Sequence, residues 1–497
     1  MSSARSLGWL GIVRLGLVQS ALGAIVVLVT STLNRVMVVE YQLPAMLPGA
    51  LVALHYAVQM TRPRFGFGSD CGGRRTPWIL GGIAVLGVGG VLCAMATVSM
   101  ASHTLWGFAF AILAYAVVGF GVGAAGTSLL VLLAVEVGER RRAAAATIMW
   151  VLMIAGFAIT STLAGHFLDP YSPHRLVMVM ATAALAAFAV AVAAVWGIER
   201  REHGQTAKRH AAVPAQAAPA ACGPAERGPA VSGPAERDFR AALRRVWAEP
   251  EARRFTVFVF VSMLAYSAQE LLMEPFAGLV FGYSLGASAA LSGQQHAGVF
   301  VGMIAVGLAC SGGRRLGGSR LGGSRLGGPR LGGPRFGSLR SWTIGGCVAS
   351  ALALLSLVAA NLVGPAWPLQ ASVFALGLAN GVFAVSAIGS MMALAHRGET
   401  PGAGASGAGA SGAAASAAGV RMGLWGAAQA VAFALGGLFS TTLVDFARYF
   451  WGSPAAAFGI VFCAEAALFI IAARFAARMG STGGERIGTS RAGALGV

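Results

Sequence analysis

Twelve apolar stretches, six on either side of a polar interruption, constrain this chain more than any other feature. They lie near residues 14–35, 44–61, 78–99, 105–135, 143–168 and 176–198, then 255–282, 293–312, 341–362, 366–395, 421–446 and 454–476. A helix rising about 1.5 Å per residue needs roughly 20 apolar residues to cross a hydrocarbon layer, and most of these runs reach that length. Only 11% of the residues are charged and 56% are hydrophobic, against roughly 25% charged in ordinary soluble domains. Such a chain cannot clothe a water-facing surface, so most of it faces lipid. The expected fold is an all-α integral membrane protein with twelve transmembrane helices in two six-helix halves. The first charge-free run, Leu15 to Leu33, is longer than the roughly 7–15 apolar residues of a signal peptide and reads as a retained span.

The interruption sets the domain plan. Residues 1–198 form an N-terminal half. Residues 199–254 are polar, rich in Ala and Pro, and repeat Gly-Pro-Ala-Glu-Arg at 223–227 and 233–237, a composition that suits a disordered cytoplasmic linker. Its end, Phe239 to Arg254, reads as a short amphipathic helix on the membrane surface. Residues 255–479 form the C-terminal half, with low-complexity loops at 313–340 and 398–420, and 480–497 form a cytoplasmic tail. In the first of these loops an arginine recurs every five residues; it reads either as a patch for anionic lipid or as a neutral expansion.

Orientation follows from charge. With the N-terminus inside, only Arg35, Arg175 and Arg448 of the 36 lysines and arginines fall at the outer face, as the positive-inside rule requires. Both termini are then cytoplasmic, in a bacterial inner membrane. The formal net charge of +18 does not point to nucleic acid, because the basic residues sit in short clusters between apolar runs rather than on a basic, aromatic-interleaved face. Six scattered cysteines without CxxC spacing give no metal site. There is no Walker loop, HExxH or G-x-S-x-G elbow, so an enzyme is not expected.

The loop between the second and third runs reads Gly66-Phe-Gly-Ser-Asp70-Cys-Gly-Gly73-Arg74-Arg75. It resembles the G-x-x-x-D-x-x-G-R-R signature of the major facilitator superfamily, with Cys71 where a basic residue is usual. Its glycines permit a tight turn, and Gly66, Asp70, Gly73, Arg74 and Arg75 form the expected cytoplasmic clasp. The second half shows no clean copy. Longer stretches narrow the likeness: Thr32 to Glu40, Arg62 to Trp78, Gly123 to Ala134, Gln269 to Phe276 and Gly426 to Phe433. Together they resemble the bacteriochlorophyll-delivery family, the PucC/LhaA-type proteins of purple phototrophic bacteria, over nearly all helices. That resemblance implies a light-harvesting antenna assembly factor, with bacteriochlorophyll as bound cargo. The partners it implies are membrane lipid, antenna polypeptides and bacteriochlorophyll synthase. Two other readings stand beside it: a proton-coupled transporter of a small solute, using Glu270, Glu274 or Glu465, and a pigment-free assembly scaffold.

Ionisable residues inside spans point to function, and here they are few: Arg35, Glu40, His55, Glu136, Glu270, Glu274 and Glu465. Asn34 to Glu40 and Gln269 to Glu274 are loosely alike and occupy the corresponding first spans of the two halves. Asn34, Arg35, Glu40, Glu270 and Glu274 are therefore expected to form a polar network between the halves, with Arg35 facing Glu270 or Glu274. The alternative is that each charge reaches separately for the outer interface. His55 is the candidate axial ligand for a chlorophyll-type magnesium, or else a packing histidine; Gln19, Gln269 and Gln429 are further pigment candidates. Gly119-x-x-x-Gly123 reads as a site of close helix packing.

Overall fold

A computed structural model describes residues 7–61, 75–137, 139–198, 244, 247–315, 339–397 and 408–478. They form twelve helical rods: α1 (Trp9–Glu40), α2 (Met46–Val58), α3 (Thr76–Ser99), α4 (Thr104–Glu136), α5 (Glu139–Leu168), α6 (Pro173–Val195), α7 (Pro250–Phe281), α8 (Leu285–Arg315), α9 (Leu339–Val363), α10 (Leu369–Arg397), α11 (Ala408–Trp451) and α12 (Pro454–Arg478). Ten are long and apolar enough to cross a membrane. Of the other two, α2 is short, and α8 carries Ser288, Ser292, Gln294, Gln295 and His296 along its first half.

The rods begin and end where local chemistry dictates. Ser172 caps α6 by accepting the Arg175 N–H at 3.1 Å, with Pro173 in the first turn. Ser284 caps α8 by accepting the Ala287 N–H, also at 3.1 Å. Gly282 closes α7 at φ 68°, a left-handed position that suits glycine. Two boundaries differ from the sequence expectation. Residues 250–254 begin α7, opened by Pro250, while residues 244, 247 and 248 before it are helical and exposed. Residues 408–420 continue α11 upstream, because an alanine-rich run has the strongest intrinsic helix propensity. The clasp residues Gly66, Asp70, Gly73 and Arg74, most of the 199–254 segment and residues 316–338 lie outside the described residues.

The two halves repeat one pattern of neighbours. In the first, α1 packs on α5 and α6, α3 on α4 and α6, and α2 on α4. In the second, α7 packs on α11 and α12, α9 on α10 and α12, and α8 on α10. The halves meet where α5 packs on α8, α2 on α11 and α1 on α7; shifting each number by six carries the first of these pairs onto the second. One buried apolar core lies in the second half, and another, centred on the first, reaches Leu271, Leu285, Val299 and Met303 of the second. That of the second half is aromatic, with Phe276 against Phe458 and Phe462, and Phe383 against Phe258 and Phe469. Glycines allow close helix approach in the first: a Cβ on Gly121 would stand 2.6 Å from the Leu86 nitrogen, and one on Gly119 would stand 2.8 Å from the His55 carbonyl oxygen. Large apolar side chains such as Leu105, Leu185, Leu308 and Phe439 project from the outer faces, as hydrocarbon surroundings require.

Candidate functional site

The densest buried polar cluster lies between α1 and α7, toward the Glu40 end of the bundle. There α1 departs from regular helix: Leu28–Thr32 and Val36–Glu40 are π-helical, a wide turn often found at functional positions. The widening turns neighbouring hydroxyls toward one partner helix. Thr30 Oγ1 lies 3.3 Å from Glu270 Oε1, and the Ser31 hydroxyl donates to Glu274 Oε1 at 2.6 Å. One turn on, Asn34 Nδ2 donates to the Leu271 carbonyl at 2.5 Å. Pro275, inside α7, has no N–H to give to the carbonyl four residues earlier, which is that of Leu271. Asn34 supplies the missing donor from the other half, the kind of repair that lets proline sit inside a membrane helix.

Arg35 is 2% exposed, and its partners correct the expected pairing. Nη1 binds Glu40 at 2.5 Å and Nη2 donates to the Tyr283 carbonyl at 2.7 Å; neither Glu270 nor Glu274 accepts from it. The physical reason lies in the backbone. The π turn stacks residues five apart, placing Glu40 under Arg35, and α7 ends close by with unpaired carbonyls that attract a cation. Arg35 therefore ties the halves together through a helix C-terminus.

Two further contacts use helix ends, and neither was legible beforehand. Asp445 of α11 accepts the Ala45 and Met46 N–H groups at 2.9 and 2.7 Å, at the N-terminus of α2. Asp169, just beyond α5, accepts the Ser284 hydroxyl at 2.6 Å at the N-terminus of α8. The helices involved are related by the six-helix repeat, so the seam carries two matching carboxylate contacts. Glycines bring these helices together: a Cβ on Gly49 would overlap Thr441, one on Gly286 would overlap the Gly165 carbonyl, and one on Gly293 would overlap Thr162. Beside them, the Tyr41 and Tyr171 hydroxyls meet at 2.8 Å, and burial pushes the Tyr171 phenol above its usual range, helped by that hydrogen bond.

A cavity of about 10 Å³ adjoins Glu270, lined by Tyr266, Glu270, Ser292, Gln295, His296 and Val299. His296 Nδ1 lies 2.8 Å from the Ser292 carbonyl oxygen, and Phe157 of the other half meets its ring edge-on at 5.1 Å. A larger apolar hollow of about 360 Å³ opens on the outer face of α3 and α4 beside Trp78 and Phe120.

The remaining candidates are dispersed. His55 is buried, with Nε2 2.8 Å from Gln59 Nε2 and Tyr56 edge-on to its ring. Its Nε2 thus meets Gln59, just past the end of α2. Gln19 Nε2 contacts Met153 sulfur at 3.2 Å inside the first half. Gln269 accepts from Asn380, which in turn accepts from Ser350, a polar chain joining α7, α10 and α9. Gln429 is half-buried on α11 and Arg75 precedes α3. Glu465 is buried on the α12 face that carries Phe462 and Phe469, with neither carboxyl oxygen hydrogen-bonded. Among the described residues no group of three His, Cys, Asp or Glu is placed to hold a metal.

Comparison with known proteins fits this frame. A family model described as "PUCC protein" matches residues 32–327 and 316–483. A Rhodobacter capsulatus protein named "Bacteriochlorophyll synthase 44.5 kDa chain" is 47% identical over 98% of this chain and 100% of its own length. "Protein PucC" of Rhodobacter capsulatus is 24% identical over 95% of this chain and 93% of its own. Among solved structures, a bacterial homologue of the human lysosomal transporter Spinster superposes with TM-score 0.59 at 14% identity, covering 95% of this chain and 96% of that one. The nucleoside transporter NupG gives 0.58 at 10% identity, covering 95% and 100%. At such identities the structural likeness speaks for the fold alone, which is that of the major facilitator superfamily.

Proposed function

The chain belongs to the PUCC protein family, and from that premise we propose that it is a non-catalytic membrane factor that binds bacteriochlorophyll and delivers it to light-harvesting antenna polypeptides. The observation that carries this reading is the end-to-end likeness, at 47% identity, to a protein named as a chain of bacteriochlorophyll synthase. A multi-pass bundle whose halves meet along a polar seam, with lipid-facing apolar sides, supports the handling of an apolar cargo within the membrane. The word synthase in that relative's name fits a protein that works beside the enzyme making the pigment. Bacteriochlorophyll synthase, antenna polypeptides and membrane lipid are the proposed partners, and bacteriochlorophyll the proposed cargo. The proposed setting is the bacterial inner membrane with both termini cytoplasmic, an orientation supported by the distribution of arginines.

The test is an absorption spectrum of the gently solubilised protein, with its co-purifying polypeptides identified, alongside antenna absorbance in a deletion strain. Bound pigment, antenna subunits in the preparation and reduced antenna absorbance after deletion are expected. A colourless protein without antenna subunits, from cells whose antenna assembles normally without it, would sink the proposal.

A further inference from the structure

The hollow on the outer face of the first half differs in kind from the space in the seam. Beside Glu270 the seam leaves about 10 Å³, room for roughly one water. The hollow between α3 and α4 holds about 360 Å³, within the roughly 300–1,000 Å³ of small-molecule sites. Its floor lies where glycine lets the two helices touch: a Cβ on Gly82 would stand 2.6 Å from the Ala125 nitrogen. Trp78 and Phe120 flank it, and Val85 and Phe120 are 42% and 46% exposed on the lipid side. Gly81 opens it, since a Cβ there would meet nothing within 4 Å. From Trp78 to Val85 the hollow runs roughly 10 Å along α3, inside one leaflet of a hydrocarbon layer about 30 Å thick. Apart from the Trp78 indole, no lining side chain carries a polar atom.

We propose that this hollow docks the isoprenoid tail of the chlorophyll-type pigment, so that cargo rides the lipid-facing flank of the first half rather than the seam between the halves. The inference rests on the proposed delivery function and assigns a site to it. The lining selects the tail and not the ring. A magnesium macrocycle is held through a donor to its metal, and the side chains here offer none. The same lining favours a branched chain over the unbranched acyl chains of surrounding lipid. Between apolar surfaces in a bilayer the hydrophobic effect gives little, and association comes from packing. A wall that faces a void forfeits its dispersion contacts, and methyl branches bring more atoms per unit length into a wide hollow than a straight chain does. Position suits handover as well. Helices α3 and α4 pack on each other, on α6 and on α2, and the hollow opens away from those contacts. A pigment held there passes sideways to another membrane helix without the halves parting.

The test titrates pigment onto the full-length protein in phospholipid nanodiscs, against empty nanodiscs, and follows the red absorption band. Two pigments are compared: bacteriochlorophyll a, and bacteriochlorophyllide a, which has the same ring without the tail. The parent should bind the tailed pigment at least about tenfold more tightly, although phospholipid is present in excess. Gly81→Leu fills open space and replaces a helix-interior glycine with a better helix former. It should unfold no lower than the parent, yet bind the tailed pigment about tenfold more weakly and the tail-less one unchanged; Gly81→Ala should fall between. Gly345→Leu is the control, because the internal repeat sets Gly345-Gly346 on α9 where Gly81-Gly82 stands on α3. A Cβ on Gly345 likewise meets nothing, and one on Gly346 would stand 2.6 Å from the Phe383 nitrogen. This variant should bind as the parent does. Comparing the two pigments on the parent needs no variant. Equal affinity for both pigments, tailed-pigment binding untouched by Gly81→Leu, or an equal loss in Gly345→Leu would overturn the inference and leave the hollow to lipid acyl chains. A parent that binds neither pigment would sink the delivery reading along with it.

Discussion

Asn34 shows how a single side chain acquires meaning only in three dimensions. In the sequence it is one polar residue beside an arginine; in the structure it repairs the carbonyl that Pro275 strips of its donor. Removing one partner of a buried hydrogen bond leaves the other unsatisfied at about 1–3 kcal/mol. Asn34→Ala should therefore lower stability by that order, read from thermal unfolding in mild detergent. Pro275→Ala returns an N–H to position 275 and lets the Leu271 carbonyl bond within its own helix. In that background the Asn34→Ala penalty should shrink to well under half, and equal penalties in both backgrounds would show that the asparagine does something else. The sequence pointed to Asn34, Arg35, Glu40, Glu270 and Glu274 because charges in apolar runs are conspicuous, and the structure brings all five to one place. It could not give their pairing. Arg35 binds Glu40 because of a π turn and Tyr283 because a helix ends there, and neither backbone event leaves a mark in residue types. His296, inside the 293–312 stretch, went unnoticed for a related reason, since its place against Phe157 of the other half leaves no mark in residue types.

At the level of helices, the seam is built from charges set against helix ends rather than from ion pairs between side chains. The ion pair of Arg35 with Glu40 lies within a single half. Asp445 at the start of α2 and Asp169 at the start of α8 do the same work at positions related by the internal repeat. A carboxylate at a helix N-terminus contributes about 0.3–1 kcal/mol, and up to about 2 kcal/mol when partly buried. Asp445→Asn and Asp169→Asn should each destabilise the closed seam within that range. Because the two contacts share no partner, their effects in the double variant should add, which denaturation midpoints of the four proteins would check; marked non-additivity would mean the two ends move as one unit. Asp169 sits beside a turn, where an acidic residue is ordinary, and Asp445 sits at the end of an apolar run inside α11, where nothing in the residue types shows that α2 begins against it. The rods themselves were legible from apolar length. The errors fell where length misleads: α11 reaches back through Gly, Ala and Ser because alanine favours helix whatever its surroundings, and α7 starts early because Pro250 suits a first turn.

For the whole molecule, hydrogen bonds between the halves gather toward the Glu40 end, joining α1 to α7 and the segment after it, α2 to α11 and the end of α5 to the start of α8. The described helices thus supply contacts between the halves on their own, and a covalent connection adds effective concentration to them. Most of each apolar core also lies within one half, so each has the means to fold before docking. A chain divided within 205–235 and expressed as two polypeptides should reassemble, with one half co-purifying on a tag carried by the other. Glycine contacts make the same interface intolerant of bulk, since a side chain at Gly286 would meet the Gly165 carbonyl and backbone cannot yield as a flexible side chain can. Gly286→Leu should therefore abolish co-purification of the divided halves while the undivided chain, held by its linker, still accumulates in the membrane. Divided halves that fail to associate without any substitution would mean that the linker residues supply contacts the seam lacks. Co-purification unaffected by Gly286→Leu would place the main binding surface away from α5 and α8. Either result would separate the docking of the halves from the polar cluster they enclose.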